Sequence, residues 1–262
     1  RKDDYFYADT YVAMNSTLAQ PYINLANALI GVKTDAAFEQ AEKALLEAKK
    51  YAKTKKQIAD VSLGRQSLYA SWGDFLKAEK VPSEKGEIAK TPDFKSAREK
   101  YRAALAIDPH FAPAAIGLAE VEIAGISATG EGNISKQLVN DLNTVSGAPL
   151  YKLEISAEQI GFRRDLALAW AYSVQGEMAD EAATAAGSDD RSNAMISYGQ
   201  AFKKLDIILV SPPSSQTLLM TETSIPELLL NKWGNFISAI DKDRPTARKD
   251  FNNALTNLNL LM

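Results

Sequence analysis

Cysteine is absent from the 262 residues and histidine occurs once, at His110. The first absence excludes disulfides, thiolate metal centres and cysteine nucleophiles. The second excludes a zinc site built from several imidazoles. Long hydrophobic runs are also missing: runs such as residues 207–210 and 228–230 fall far short of the roughly 20 residues that span a bilayer. No strong excess of one charge is present. Lys and Arg number 30 against 33 Asp and Glu, giving a net charge of −3 and a pI near 5.4, which argues against a nucleic-acid binder with its strongly basic face. A phosphate loop is missing too, since the glycine-rich TGEGN at residues 129–133 lacks the following Lys-Ser/Thr and a preceding strand. No cofactor and no metal are therefore expected.

What is present suffices for a sizeable core. Hydrophobic residues make up 46% of the chain and charged residues 24%, which excludes disorder as a reading of the whole. The apolar residues follow a repeating pattern. In FKSAREKYRAALAIDP, Ala97, Tyr101 and Ala104 are spaced four and three apart, so they share one helical face. Pro109 then stops the helix. The same small-large-Ala spacing recurs as Ala41, Leu45, Ala48, as Ala194, Tyr198, Ala201, and as Ala247, Phe251, Ala254. The alanines let a neighbouring helix approach, and the large central residue fills the space between them. Each triple is preceded by a helical segment carrying a large-small dipeptide. SWGDFLKAEK, with Tyr69, Trp72, Gly73 and Leu76, and KWGNFISAIDK, with Leu230, Trp233, Gly234 and Ile237, are one motif written twice. Leu25-Ala26, Leu168-Ala169 and Leu118-Ala119 are the counterparts elsewhere. The small member of each dipeptide is expected where the partner helix crosses.

This pattern resembles the tetratricopeptide repeat, in which large-x2-large-small-x2-large is followed by small-x3-aromatic-x2-Ala and then proline. The resemblance covers most of residues 12–262 and is sharpest from Tyr69 to Leu118. It implies an all-α fold, a right-handed solenoid of antiparallel helix pairs in a single domain, residues 1–262. Repeat-like units fall at about 12–53, 66–109, 110–146, 160–210 and 226–262. The spacing is irregular. The family places about 12 residues between the small residue and the next triple. Here Gly73 to Ala97 is 24, Ala169 to Ala194 is 25, Ala26 to Ala41 is 15 and Gly234 to Ala247 is 13. The surplus at residues 80–92 and 176–190 either extends the flanking helices or forms surface loops. Breaks are expected at residues 125–133, 147–149 and 211–215, and helix starts at Asp93 and at Asp165 or Ser192. Residues 151–155 (YKLEI) are the best strand candidate but read better as a helical turn or an extended linker.

No constellation for catalysis stands out, so the chain is not expected to be an enzyme. His110 follows Pro109 at a repeat junction, with no nucleophile or carboxylate at a defined spacing. Asp3-Asp4 and Asp189-Asp190 read as solvated acids. Glu120 and Glu122 lack a recurring partner for glycosidase-like work. Lys49, Lys50, Lys53, Lys55 and Lys56 form a basic run at a helix end, read as solvated and favoured by the macrodipole; contact with an acidic partner or a lipid headgroup is the sharper alternative.

In tetratricopeptide proteins the first helix of each pair lines a concave surface. The resemblance places Asn27, Asp74, Glu120, Trp170 and Asn235 there, with Lys77 and Arg163 nearby and Ile23, Ala70, Ile116, Leu166 and Asn231 one turn away. Amides, acids, an indole and aliphatics suit a protein or peptide with apolar anchors, and Trp170 is the strongest anchor; ordinary core packing is its alternative. The expected function is a peptide-binding scaffold. The alternative is an extracytoplasmic small-molecule-binding or transporter-accessory lipoprotein, similar to the T component of TRAP transporters, holding a small hydrophobic ligand or forming a homo-oligomer. The first residue, Arg1, suggests a removed signal or lipid anchor, hence a periplasmic or otherwise extracytoplasmic location in a bacterium, the cytoplasm being the alternative. Membrane contact is expected only through that anchor.

Overall fold

The computed structural model describes residues 18–78, 80–83, 86–89, 91–148, 150, 153, 155–188 and 192–210. Their packed elements are all helical: α1 Ala19–Ile30, α2 Asp35–Tyr51, α3 Lys55–Lys77, α4 Phe94–Leu105, α5 Ala112–Thr129, α6 Lys136–Thr144, α7 Ala157–Ala185 and α8 Ser192–Val210. A short antiparallel hairpin, β1 Lys80–Ser83 and β2 Gly86–Ala89, separates α3 from α4. The chain divides into two compact units, Arg1–Val121 and Glu122–Met262.

Local chemistry sets the helix starts. Thr34 and Ser135 accept the N–H of the residue three positions on, at 3.3 and 3.0 Å. Asp93 does the same for Ser96 at 3.0 Å. Thr54 with Gln57 and Ser156 with Gln159 form reciprocal capping boxes, each satisfying two otherwise orphaned donors. A cap of this kind contributes about 1 kcal/mol. Asp93 caps α4 and Ser192 begins α8, both matching the sequence expectation, but Asp165 starts nothing. It lies in the middle of α7, which begins eight residues earlier because Ser156-x-x-Gln159 is the stronger signal.

The irregular spacings resolve in two ways. The surplus between Gly73 and Ala97 goes into the hairpin, neither a helix extension nor an irregular loop. The Asp93 N–H donates to the Leu76 carbonyl at 2.8 Å, closing the excursion at its base. The surplus after Ala169 lengthens α7 to Ala185, where Gly187 at φ +63 turns the chain. The expected break at 125–133 begins later, since α5 runs to Thr129 before Gly130 and Gly132 take positive φ. In the YKLEI region Leu150 and Ile155 form one isolated antiparallel bridge.

The three described triples are buried. Ala41, Leu45, Ala48, Ala97, Tyr101 and Ala104 have no exposed surface, and Ala194, Tyr198 and Ala201 are nearly as enclosed. The fourth, Ala247, Phe251, Ala254, lies outside the described residues. In each of the three described triples the large central side chain is seated on a glycine. A Cβ at Gly64 would meet the Leu45 side chain at 2.9 Å, and one at Gly176 would meet the Tyr198 ring at 2.9 Å. Tyr101 is met by two glycines: a Cβ at Gly73 would lie 2.7 Å from its ring and one at Gly117 2.3 Å. Gly73 is the small residue the sequence pattern singles out. Gly117 and Gly176 take the crossings expected at Ala119 and Ala169, and Gly64 seats Leu45, because a large side chain brought this close needs the full absence of a side chain opposite it. Gly64 and Gly73 are nine residues apart on α3, about 180° around a helix of 3.6 residues per turn. Thus α3 receives Leu45 of α2 on one face and Tyr101 of α4 on the other.

Loss of the Tyr101 ring (Tyr101→Ala) is expected to cost about 3–5 kcal/mol. Gly117→Ala should also destabilise, by about 1–3 kcal/mol, although alanine is the better helix former by about 1 kcal/mol. Gly161→Ala and Gly199→Ala, in helices with nothing within 4 Å of the added methyl, should be neutral or stabilising. Chemical denaturation of the four variants checks this, and a stabilised Gly117→Ala protein would show that Tyr101 is not held as described.

Candidate functional site

The groove candidates fall in both compact units. Asn27, Asp74, Lys77 and Glu120 belong to Arg1–Val121, whereas Arg163 and Trp170 belong to Glu122–Met262. Asn235 and Asn231 lie outside the described residues. Four neighbours expected to line the groove, Ile23, Ala70, Ile116 and Leu166, are instead core, each with 5% of its surface exposed or less. Their helices turn these positions toward packed neighbours, so they offer nothing to a ligand.

In the first unit the structure brings three candidates together. Lys77 on α3 pairs with Glu120 on α5 and lies 3.8 Å from Asp74. Asp74 accepts the Tyr101 hydroxyl proton at 2.7 Å. The Lys77 and Glu120 side chains are only 20% and 10% exposed, so their charges meet in a partly dehydrated setting. Position follows from chain geometry: Asp74 adjoins Gly73, the seat of the Tyr101 ring, so a ring fixed there delivers its hydroxyl to the next side chain. This network ties α3, α4 and α5 in register, with Glu120 enclosed against Lys77 while the Asp74 side chain stays 39% exposed.

A second polar layer spans α2, α3 and α4. The Tyr69 hydroxyl donates to Glu42 at 2.6 Å, and the Trp72 indole N–H to Asp35 at 3.1 Å. Burial, and then the Glu42 bond, raise the Tyr69 pKa. Trp72 is stacked on Phe38 with centroids 5.6 Å apart, while the Lys100 ammonium lies 3.3 Å from the Trp72 ring centre. Glu42, Asp35 and Lys100 carry no motif, and pairs 27 to 37 residues apart leave no local signal.

Asn27 is exposed on α1, one member of a row with Gln20 and Asn24, also exposed. Offsets of four and three place the three amides on one stripe. Gln20 donates to Asn24 Oδ1 at 2.9 Å, leaving most of the row's donors and acceptors to solvent. The sequence pattern finds Asn27 through its place after Leu25-Ala26. The stripe is visible only once the register of α1 is known.

In the second unit Arg163 and Trp170 are partly exposed on α7. The Trp170 indole nitrogen is nevertheless buried with no hydrogen-bond partner, and so is the Ser173 hydroxyl oxygen one turn on. Unsatisfied buried polar atoms are costly and rare. Close by in sequence, Asp165 is buried and receives Arg164 at 3.3 Å and Lys204 of α8 at 3.4 Å. Tyr198, on Gly176, has its pKa raised by burial and by Glu177, Asp180 and Glu181. His110 is exposed, and its backbone N–H donates to Asp108 at 2.9 Å.

Among the described residues no three His, Asp or Glu side chains are grouped to hold a metal ion, and no helix is long and apolar enough to cross a membrane. Compared with protein-family models, with curated proteins and with solved structures, the chain matches none.

Breaking the buried pair from one side, with Lys77→Met or Glu120→Met, should cost about 3 kcal/mol or more, and the double substitution should recover much of it; additive losses in denaturant melts would refute coupling. The Tyr198 pKa is raised by folding, so its contribution is complete below pH 10, the ordinary value, and lost as pH rises through the folded value. Tyr198→Phe should therefore lose less stability than the parent protein above pH 10, as measured by urea midpoints across that range.

Proposed function

We propose that this chain is a tetratricopeptide-like helical-repeat module, a right-handed solenoid that binds a protein or peptide segment and catalyses nothing. The carrying observation is the amide stripe of Gln20, Asn24 and Asn27 on α1. An amide offers both a donor and an acceptor, the pair of groups needed to hold the backbone of an extended peptide whatever its side chains. What supports the repeat reading is the seating of each large central side chain on a glycine of a neighbouring helix, with α3 packed on two opposite faces. Such packing fixes helix after helix, and a stack of helices presents its exposed stripes side by side. Asp74 and Glu120, elsewhere in the first unit, lie against Lys77, an arrangement that suits structural pairing better than acid–base work. On this reading the chain resides outside the cytoplasm, as a periplasmic protein or lipoprotein.

One observation favours a second reading, a small-molecule-binding or transporter-accessory role. Trp170 Nε1 and Ser173 Oγ are buried, unsatisfied and one helical turn apart, and a small ligand carrying an acceptor oxygen would satisfy both. A photo-crosslinking amino acid at Asn27, introduced in the producing organism, separates the two. The peptide reading expects one discrete protein adduct, lost when Gln20 and Asn24 are changed to Ala. Absence of any protein adduct, together with a small molecule retained in native mass spectrometry and lost on Trp170→Phe/Ser173→Ala, would replace it with the second.

A further inference from the structure

The α2–α3 turn carries a charge the rest of the chain does not share. Residues 46–58 hold five lysines and one acid, Glu47, a balance of 5 − 1 = +4 in a chain of net charge −3. Lys49, Lys50, Lys53, Lys55 and Lys56 are all exposed. Lys50 pairs with Glu47, and the other four make no ion pair among the described residues.

The macrodipole accounts for only part of this. Lys49 and Lys50 occupy the last turn of α2, where a cation is favoured. Lys55 and Lys56 occupy the first turn of α3, which has no acidic residue, and there the same dipole opposes them. The capping box of α3 uses Gln57, so even the position open to Glu or Gln adds no negative charge. Lys55 and Lys56 are therefore placed against the local electrostatics of their own helix, and the dipole gives no reason for them there.

Apolar side chains are interleaved with them. Leu46 is 46% exposed and Ile58 52%. Leu46 shares a stripe with Lys49 and Lys50, at offsets of three and four, and Ile58 shares one with Lys55 at an offset of three. Leu18 at the start of α1 is 50% exposed. The neighbouring Tyr22 stacks on Tyr51 at 5.8 Å, placing the start of α1 beside the end of α2. Lysines, isolated aliphatics and tyrosines at one helix-hairpin end are the composition that settles at a lipid–water boundary: aliphatic side chains enter the acyl edge, lysine stems lie along it, and ammonium groups reach the phosphates.

We infer that the α2–α3 turn is a docking surface for an anionic lipid bilayer, read by Lys49, Lys50, Lys53, Lys55 and Lys56 and seated by Leu46 and Ile58. An acidic protein surface would reward the lysines but give no role to the exposed aliphatics that share their stripes.

Flotation of the 262-residue chain with vesicles tests this. Vesicles of phosphatidylcholine with about one third phosphatidylglycerol should carry the protein, and pure phosphatidylcholine vesicles should not. Lys53→Ala/Lys55→Ala/Lys56→Ala should weaken anionic-vesicle binding by about 100-fold, and Leu46→Ser/Ile58→Ser should weaken it several-fold. Unchanged far-ultraviolet dichroism and melting temperature of both variants establish that the fold is intact, since every substituted residue is exposed. Failure to float with anionic vesicles, or flotation indifferent to the lysine substitutions, overturns the inference. Lysine-dependent binding to soluble polyglutamate without vesicle binding overturns it in favour of an acidic protein.

Discussion

A tyrosine ring onto which two helix backbones close sets the geometry of the first unit. Tyr101 has no exposed surface, and both Gly73 and Gly117 come so close that neither position has room for a methyl group. Two helices that both close onto one ring cannot slide or rotate without opening a void or a clash, since protein interiors are close-packed and stiff to such change. The hydroxyl at the end of the ring then fixes Asp74, Asp74 adjoins Lys77, and Lys77 reaches Glu120. A packing constraint thus becomes an electrostatic one: the ion pair forms where it does because the ring has already set the distance between α3 and α5.

The same device appears twice more with different side chains. Leu45 on Gly64 joins α2 to α3, and Tyr198 on Gly176 joins α8 to α7. A glycine inside a helix costs about 1 kcal/mol of intrinsic stability relative to alanine. That cost is offset only if the close approach allows more burial than a methyl group would, and a fully enclosed tyrosine or leucine side chain supplies it. Gly161 and Gly199, which meet nothing, show the contrast: helical glycine here is not uniformly a packing seat.

These relations explain what could be read from the chain alone. Offsets of three and four put Ala97, Tyr101 and Ala104 on one face, and a face bearing an alcohol-tipped aromatic flanked by alanines has few uses other than burial against a helix. Gly73 was legible for the same reason, being the small residue in a motif otherwise made of large ones. Gly117 and Gly176 were not, because alanines at 119 and 169 satisfy the same pattern, and only three-dimensional contact distinguishes a residue that is small from one that must have no side chain. The hairpin at 80–89 was hidden as well. Its strands are four residues long, too short for alternation to register, and what holds its ends is a backbone hydrogen bond that no side chain announces. Of the groove candidates, Asp74, Lys77 and Glu120 came together, but their union depends on pairing across 43 residues, which spacing within a helix cannot reveal. Ile23, Ala70, Ile116 and Leu166 went to the core because a position one turn from a polar residue is as easily on the buried edge of a stripe as on its exposed one.

Charge is distributed in a way that separates binding chemistries. On the α1 face the exposed groups are neutral amides, suited to hydrogen-bonding a backbone without demanding a charge in return. Around Asp74 and Glu120 two carboxylates share one ammonium, Lys77, and Asp74 also accepts the Tyr101 hydroxyl, so their negative charge is only partly offset. Unmatched positive charge is concentrated instead at the α2–α3 turn, where Lys55 and Lys56 oppose the dipole of their own helix. Within 0.15 M salt, unpaired surface charges act over about 8 Å, so a cluster this local orients the chain only when the anionic surface is within a few residues' reach. A dense anionic plane meets that condition for all five lysines at once, whereas one acidic side chain meets it for one or two. The amide stripe and the lysine turn therefore call for partners of different chemistry, and occupation of one does not require the other to be vacated.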